Sequence, residues 1–384
     1  KAYILNNDAP EGEPLYQGHR AVWIREVDPE SFAQVSEPVV AVNGGVDLSK
    51  KPVWIEGPHL YKVDGKYLLS AAEGGTGPQH SQVILTAESP LGPFTPHPDN
   101  PVLTQRDLPE DRPEPITSVG HADFTQDGDG NWWAVFLGTR PYQGNEYNTG
   151  RETFLMPVTW ENGIPRITAP GDVIPHVIDR PALPAQPDAP LPLTGNFTYT
   201  DAFDEEALPL HWLTVRIPSE DGYRLETGDL VLEKRAQGVG DPGHPSFLGR
   251  RQQHTNAEAY TEVMFVPGDS DDEAGLAAFQ NDAAYYTLGL SLNEEGTSVV
   301  RLRRRASENA DPDGEIVTEV PALAAPGEPL KLKIAAQGPE IDFYQASPEG
   351  EWQPVALGED GTILSTEKAG GFVGTLLGVY AQSE

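Results

Sequence analysis

The chain has 384 residues, of which 26 are Lys or Arg and 59 are Asp or Glu, so its formal net charge at pH 7 is −33. This length is typical of two domains rather than one. The negative charge disfavours nucleic acid as a partner, because phosphates are bound by clustered Lys and Arg. It disfavours anionic membranes and acidic substrates for the same electrostatic reason, whereas a neutral ligand such as a sugar meets no such objection.

Composition also narrows the fold class. The 39 glycines and 37 prolines favour an all-β fold with many turns over helical packing. With no cysteine in the sequence, disulfides, thiolate catalysis and cysteine-based zinc sites are excluded. No run approaches the roughly 18 apolar residues of a membrane-spanning helix. We therefore expect a soluble protein, in the cytoplasm or secreted, with the cytoplasm favoured.

A weak repeat runs through the first half of the chain. An Asp-Gly pair precedes an aromatic-rich strand at residues 64–69 and again at 129–134, which is a hairpin signal. Tyr67 and Trp132 are equivalent positions 65 residues apart, and Tyr3 lies 64 residues before Tyr67. Hairpins recurring at this spacing predict blades of a β-propeller with sizeable loops.

The repeat predicts that the propeller is incomplete. If Tyr3 matches Tyr67, the first hairpin lacks its turn and its preceding strand, so residues 1–190 hold about three blades, whereas a propeller closes with at least four. We therefore expect the chain to be the tail of a longer polypeptide. The missing propeller segment would come from the same gene or from another chain.

The second half predicts a β-sandwich. Residues 165–192 are rich in Pro and Ala and are typical of a linker. Short strands separated by turn residues follow, without helical stretches. The predicted strands include residues 230–233, 259–265, 285–290, 298–303 and 330–334. We therefore assign residues 1–190 to propeller blades and residues 191–384 to a sandwich domain.

Glu56 is the carboxylate with the most informative surroundings. It lies in the segment WIEGPH at residues 54–59, where apolar and aromatic neighbours favour the protonated form that a general acid needs. Taken alone, however, a glutamate is more often a solvated surface residue. The role of Glu56 can therefore be assigned only together with the neighbouring motifs.

Other polar residues leave alternatives open. His121, in the segment VGHAD, is either a hydrogen-bonded buried histidine or a ligand, and Arg151 with Glu152 is either a structural ion pair or part of a site. His59, His80 and His121 lack the i, i+4 spacing of a catalytic zinc motif. The glycine-rich residues 74–77 are not followed by Lys-Ser/Thr, so nucleotide binding is not expected.

Several motifs together resemble glycoside hydrolase family 43, in particular β-xylosidases with a C-terminal β-sandwich. Four of them occur in the order and spacing of that family, and the resemblance extends to the segment NDAPEG and to three segments of the second half. The four are WIEGPHLYK at 54–62, AEGGT at 72–76, GHAD at 120–123 and GRETFL at 150–155; the others are FLGRRQ at 247–252, AAFQ at 277–280 and FVG at 372–374.

The resemblance implies a five-bladed propeller followed by a concanavalin-like sandwich. It implies hydrolysis of glycosides with inversion, by an Asp base and a Glu acid, with a second Asp that tunes the acid. Glu56 matches the acid, Arg151 an arginine that reaches the sugar, and Thr76 a residue of the pocket wall. His121 matches a residue near the pocket floor that helps to hold a central calcium ion or a water, and Phe372 matches an aromatic at the pocket rim.

The chain departs from the family in one respect. The family's Asp base and second Asp have no counterpart among its motifs, and neither Asp8 nor Asp123 matches them. The base is therefore expected on the absent propeller segment. The repeat predicts the same missing segment, and that prediction does not depend on the family resemblance.

These observations predict an exo-acting glycosidase that removes terminal xylose from xylan-derived oligosaccharides, with terminal arabinofuranose as a second candidate sugar. No cofactor is required for the chemistry, calcium in the propeller channel is an option, and a homo-oligomer is allowed. Alternatives are a non-catalytic carbohydrate-binding fragment, an endo-acting arabinanase or xylanase-like enzyme, and a purely structural module. No nucleic acid or membrane partner is expected.

Overall fold

A computed structural model describes residues 1–179, 181–184, 195–217, 222–226 and 228–383. The chain forms two compact units. The first comprises Lys1–Pro141 and Arg151–Leu183, and the second comprises Tyr142–Gly150 and Pro184–Glu384. The predicted boundary between residues 190 and 191 lies outside the described residues.

The first unit is built from short strands and one 3-10 helix. In chain order they are β1 (Ala2–Asp8), β2 (Ala21–Val27), β3 (Val39–Asn43), the 3-10 helix Leu48–Lys50, β4 (Glu56–Val63), β5 (Lys66–Glu73), β6 (Ser81–Ala87), β7 (Thr95–Pro96), β8 (Leu103–Thr104), β9 (Thr117–Gln126), β10 (Trp132–Thr139), β11 (Glu152–Glu161) and β12 (Ile164–Arg166).

These strands form three antiparallel sheets. Their orders are β1-β2-β3, β4-β5-β6-β7 with β8 also paired to β6, and β12-β11-β10-β9. Each sheet is an up-and-down meander in which most sequence neighbours are also spatial neighbours. This is the arrangement that the predicted propeller blades require.

The hairpin predictions are confirmed. Residues 64–65 form the turn between β4 and β5, and residues 127–131 form the turn between β9 and β10. The repeated aromatics Tyr3, Tyr67 and Trp132 fall on β1, β5 and β10. Strands β5 and β10 each pair with a strand on both sides, whereas β1 pairs with β2.

Two apolar clusters hold these sheets together. One lies around Leu69, Val83 and Ile24, and the other around Ile84, Val119 and Phe136. Because strand residues alternate between the two faces of a sheet, neighbouring residues such as Val83 and Ile84 contribute to different clusters. Burial on both faces explains why β5 and β6 read as continuous apolar runs.

The predicted linker begins too early. Residues 164–166 form β12, and Ile167 and Ile174, 6% and 4% exposed, pack into the second of these clusters. The backbone N–H of Ile167 donates to the carbonyl of Val102 at 3.1 Å. The linker prediction is therefore wrong for residues 165–174, where buried isoleucines outweigh the proline content, and most of its later part lies outside the described residues.

The second unit has a further set of strands. They are β13 (Tyr223–Glu226), β14 (Asp229–Leu232), β15 (Ser246–Arg251), β16 (Asn256–Val263), β17 (Glu273–Asn281), β18 (Ala284–Leu292), β19 (Ser298–Arg305), β20 (Glu315–Pro321), β21 (Leu330–Gln337), β22 (Glu340–Ala346), β23 (Gln353–Asp360), the 3-10 helix Gly361–Leu364, α1 (Thr366–Ala369) and β24 (Leu376–Gln382). All five strands predicted for this half are confirmed.

Two antiparallel sheets make the sandwich. A six-stranded sheet has the order β15-β24-β17-β18-β19-β20, and a four-stranded sheet has the order β16-β21-β22-β23. Leu288 and Leu302 of the first sheet and Leu332 and Phe343 of the second belong to one apolar cluster and are fully buried. The core therefore lies between the two sheets, as in other β-sandwiches.

The short segment 142–150 is a part of the second unit, although in sequence it connects β10 to β11. The backbone N–H of Tyr147 donates to Ser365 Oγ at 3.0 Å, and the N–H of Thr375 donates to the carbonyl of Asn148 at 2.8 Å. Asn145 Nδ2 donates to Glu367 Oε2 at 2.6 Å. The sequence places this segment in residues 1–190, whereas its contacts group it with residues 365–375.

None of the helices in the described ranges has the length and apolar character needed to cross a bilayer.

Candidate active site

Glu56 is the first residue of β4 and is half-buried. Its backbone is held by the preceding residues: Ile55 is fully buried, and the N–H of Trp54 donates to the carbonyl of Gly18 at 2.9 Å. Trp54 itself has a φ of +48° and a ring that is 48% exposed. The segment thus enters the sheet through an anchored turn.

A β-bulge follows Glu56 directly. Glu56 pairs with Ala72 and His59 pairs with Ser70, so three steps along β4 oppose two steps along β5. Gly57, inside this bulge, has a φ of +55°, a conformation that glycine adopts at little cost. Bulges of this kind change the direction of neighbouring side chains and are common beside active sites.

His121 lies on β9 in a similar irregularity. Both Ser118 and His121 have left-handed backbones, with φ values of +57° and +58°. The pairing of β9 with β10 shifts register twice in this stretch, first between Asp123 and Gly120 and then between Gly120 and Thr117. Two successive bulges therefore remove His121 from the regular alternation of the strand.

The imidazole of His121 contacts the residue next to Glu56. A methyl group placed on the α-carbon of Gly57 would lie 2.4 Å from His121 Cε1 and 2.8 Å from its Nδ1. Real carbon atoms do not approach so closely, so this contact requires glycine at position 57. The structure thus places His121 against the residue that follows Glu56, 64 positions away in sequence.

His80 packs against the same stretch of β9. It is 1% exposed, its Nδ1 lies 2.8 Å from the carbonyl oxygen of Ser118, and its ring lies against Gly120. Burial lowers the pKa of His80 to about 4; electrostatic interactions with His121 and Arg151 act in the same direction, and the bond to Ser118 opposes it. His80 is therefore neutral near pH 7, with the proton on Nδ1 and an acceptor lone pair on Nε2.

Nε2 of His80 has no hydrogen-bond partner within the described part of the chain. Its lone pair can accept a hydrogen bond from a water or a hydroxyl group.

Thr76 lies in the loop between β5 and β6. Gly75, the preceding residue, packs under Trp54, because a methyl group there would lie 2.9 Å from the indole. Thr76 is partly buried, and its Oγ1 is buried without a hydrogen-bond partner among the described residues. This loop is therefore packed beside the segment that leads to Glu56.

Arg151 directly precedes β11 and is partly buried. Its charge helps to lower the pKa of His80, so Arg151 lies in the neighbourhood of that histidine. The adjacent Glu152 accepts a bidentate pair from Arg140, with N–O distances of 2.8 and 2.7 Å. Glu152 is therefore part of an ion pair, as one alternative from the sequence expected, and its partner in that pair is Arg140.

Phe372 belongs to the second unit, between α1 and β24, and its side chain is 66% exposed. Gly370 and Gly371 before it have φ values of +76° and +74°, so the chain turns sharply there. The rim role of Phe372 stays a prediction.

The described residues contain no group of three or more His, Cys, Asp or Glu side chains placed to hold a metal ion. His121 is therefore not part of such a side-chain group among the described residues. The calcium expectation stays a prediction.

Two carboxylates near the site have other bonds. Asp123, which the sequence motifs do not match to the base, is 60% exposed and lies 2.9 Å from His59 Nε2. Glu73 is 5% exposed, and its Oε2 accepts the N–H of Val46 at 3.1 Å. Burial raises the pKa of Glu73. Its carboxyl group stabilises the turn that precedes the 3-10 helix.

Sequence reasoning missed the residues beneath the predicted site. His80 was considered only as a zinc ligand, and Gln82, which is fully buried and bonded to the backbone of Ala122, was not considered. Their contacts span 38 and 40 positions in sequence. The available signal was a pair of polar residues two positions apart, at 80 and 82, at the start of an apolar strand. Polar residues buried in such a place need hydrogen-bond partners.

Known families match both parts of the chain. Residues 1–165 match the family described as glycosyl hydrolases family 43. Residues 200–384 match the family described as the β-xylosidase C-terminal concanavalin A-like domain.

Characterised relatives cover almost the whole chain. A non-reducing end α-L-arabinofuranosidase of Bacteroides ovatus, BoGH43B, is 34% identical over 99% of this chain and 66% of its own length. A xylosidase/arabinosidase of Butyrivibrio fibrisolvens is 31% identical over 99% of this chain and 70% of its own length. The chain thus spans about two thirds of the length of the curated relatives it matches.

A solved structure shares the fold. The crystal structure of a GH43_12 protein retrieved from a capybara gut metagenome is 34% identical, with a TM-score of 0.82, over 99% of this chain and 70% of that one. With the two family matches, this confirms the predicted all-β class, in which propeller sheets are followed by a concanavalin-like sandwich.

Proposed function

Because the chain belongs to family 43 of the glycosyl hydrolases, we propose that it hydrolyses terminal xylose or arabinofuranose units of xylan-derived oligosaccharides, with Glu56 as the general acid. The observation that carries the proposal is the position of Glu56, half-buried at the start of β4 and next to the Gly57–His121 contact. Names of two relatives support the substrate class, since those proteins are an arabinofuranosidase and a xylosidase/arabinosidase.

The proposed mechanism is inversion in a single displacement. Glu56 donates its proton to the leaving-group oxygen while a carboxylate base activates a water on the opposite face of the sugar. In inverting glycosidases the two carboxyl groups are roughly 6.5–9.5 Å apart, which leaves room for that water. Within this chain only the acid is named, because the aspartate motifs of the family's base and second carboxylate have no counterpart in this sequence.

The surrounding residues have supporting roles in this proposal. Arg151 supplies a positive charge that stabilises neighbouring carboxylates and binds sugar hydroxyls. Thr76 and His121 bind substrate hydroxyls in this proposal. A neutral sugar also meets no electrostatic penalty from a protein whose net charge is −33.

The proposal is tested with the full-length protein on 4-nitrophenyl β-D-xyloside and α-L-arabinofuranoside. We expect turnover of one or both, and we expect E56Q to lower kcat on xylobiose, whose leaving group needs a proton, by about 10²–10⁴-fold, the usual contribution of a general acid. Binding of xylobiose, measured by calorimetry, should persist in E56Q because glutamine keeps the shape of the side chain.

The matched control is E88Q, which removes a glutamate that is 83% exposed in the same unit and should leave kcat unchanged. Xylobiose turnover in E56Q at the wild-type rate contradicts the acid role. Binding without turnover in the wild-type protein favours the carbohydrate-binding alternative, and the absence of both favours a structural module.

A further inference from the structure

The two bulges of β9 are an unusual piece of backbone. In each, three residues of β9 oppose two of β10, and each contains a non-glycine residue in the left-handed region, Ser118 or His121. This conformation is unfavourable for residues with a Cβ atom. It persists only where surrounding contacts enforce it.

The first bulge is held by His80. This residue directly precedes β6 and donates from Nδ1 to the carbonyl oxygen of Ser118 at 2.8 Å. Its ring also fills the space above Gly120, where a methyl group would lie 2.7 Å from Cε1. The carbonyl of the left-handed Ser118 therefore has a buried side-chain donor in place of a regular ladder partner.

The second bulge is held by Gln82. Its Oε1 accepts the N–H of Ala122 at 2.9 Å, and its Nε2 donates to the carbonyl of Ala122 at 3.3 Å and to Ser70 Oγ at 2.7 Å. Gln82, Ser70 and Ala122 are all fully buried. The amide thus replaces both backbone partners of the residue that follows His121.

We propose that His80 and Gln82, here called the β6 clamp, are positioning residues that hold the bulged part of β9 and so keep the His121 ring against Gly57, beside Glu56. This inference rests on the proposed function, because it is through Glu56 that the clamp affects hydrolysis.

Two features favour this role over ordinary core packing. Residues 80 and 82 are two apart at the start of one strand, so their side chains lie on the same side, and both bond to backbone atoms that flank His121. Each clamp bond also satisfies a buried polar group, so removing one side chain leaves a backbone carbonyl or N–H without a partner.

The first test compares H80L and Q82L, which remove the bonds, with H80N, in which the amide group of asparagine replaces the Nδ1 donor. Since a displacement of about 1 Å costs catalysis about 100-fold, we expect H80L and Q82L to lower kcat about 10- to 100-fold with little change in KM. We expect H80N to recover most of the loss. All rates are measured well below each variant's unfolding temperature.

The matched control is H176L. His176 also bonds through its ring to a backbone carbonyl, that of Glu114 at 2.9 Å, but it is exposed and not part of the clamp. We expect H176L to leave kcat unchanged.

A second test uses the strain in β9. Glycine adopts a left-handed conformation freely, so S118G should restore part of the kcat lost in H80L while having little effect in the wild-type background. If S118G gives the same change in both backgrounds, the bond from His80 does not hold this backbone, and the proposal fails.

A third readout does not depend on catalysis. The Cε1–H resonance of His121, assigned by its loss in H121N, should shift in H80L and Q82L but not in H176L. An unmoved resonance overturns the clamp, whatever the rates show. A shifted resonance in a protein without glycosidase activity supports the clamp and contradicts the proposed function, so the two failures are distinguishable.

Discussion

Burial determines the protonation state of His80. Its pKa is about 4 in the folded chain, against 6.5 for an exposed histidine, so the unfolded chain binds a proton between these values and the folded chain does not. Stability from this group is fully present above about pH 6.5 and is lost as the pH falls towards 4. At 1.36 kcal/mol per pKa unit, the loss is about 2 kcal/mol at pH 5.

This prediction is checked by urea unfolding of the wild-type protein and H80N at pH 7.5 and pH 5. The wild-type protein should lose about 2 kcal/mol more than H80N on acidification. Glu73, whose pKa is raised by burial, acts in the opposite direction, but it is present in both proteins and cancels. Equal losses would contradict the neutral, buried state of His80.

At the scale of single residues, the sequence predicted the members of the candidate site better than the residues that hold them in place. Glu56 and His121 were found because they lie in recognisable motifs, and the structure brings the Gly57 neighbour of Glu56 onto the His121 ring. His80 and Gln82 act on backbone atoms about 40 positions away. No local pattern of residue types specifies such a bond, so only the folded structure reveals it.

Among the strands, the bulge at Gly57 offers a separate prediction. G57A forces a Cβ atom into the His121 ring, whereas G65A, in the β4–β5 turn, meets nothing within 4 Å. Both glycines have positive φ values, +55° and +83°, so both variants should lose about 1 kcal/mol of stability from backbone strain.

The two glycine variants should differ in activity. Since His121 or Glu56 must move in G57A, we expect kcat to fall by at least about tenfold, while G65A should keep its rate. Urea unfolding and turnover of an aryl glycoside measure the two effects. Similar kcat values for both variants would show that the Gly57–His121 contact is not needed for hydrolysis.

Strands and hairpins were the most predictable elements. The Asp-Gly turns after β4 and β9 follow from glycine's freedom at positive φ. The bulges of β9 could not be predicted, because their left-handed residues are a serine and a histidine, which carry no turn signal in a strand. Ile167 and Ile174 were overlooked because proline-rich composition was read as a linker.

At the scale of the whole molecule, the stability of the second unit depends on one buried charged residue, Glu273. Glu273 is fully buried on β17 and lies 3.1 Å from Arg303 Nε and 3.4 Å from Arg301 Nη1, and it accepts a hydrogen bond from Tyr380. Removing one partner of such a network leaves buried charge uncompensated, at a cost of about 3–5 kcal/mol.

We therefore expect E273A to lower the unfolding free energy of the second unit by about 3 kcal/mol, since Arg301 keeps Glu319 as a partner at 2.7 Å. The control E315A removes a glutamate that is 63% exposed and paired with Arg304, and should cost less than about 1 kcal/mol. Calorimetric unfolding measures both. Equal costs would mean that the buried network contributes no more than a surface pair.

Two domains were expected from the chain length and the strand patterns, and the boundary between residues 190 and 191 stays a prediction. Segment 142–150 joins the second unit through bonds such as Asn145–Glu367, whose partners are 222 positions apart. Contacts at such separations leave no periodic pattern in the sequence. Strand patterns predicted the propeller blades and the sandwich, and the family resemblance added the number of five blades and the concanavalin-like type.

The central claim is that Glu56 donates the proton to the leaving group, and leaving-group dependence tests it most directly. In the full-length protein, E56Q should slow xylobiose hydrolysis by about 10²–10⁴-fold. It should slow 2,4-dinitrophenyl xyloside hydrolysis far less, because that phenolate departs without a proton. Equal losses on both substrates, or no loss on xylobiose, would contradict the account.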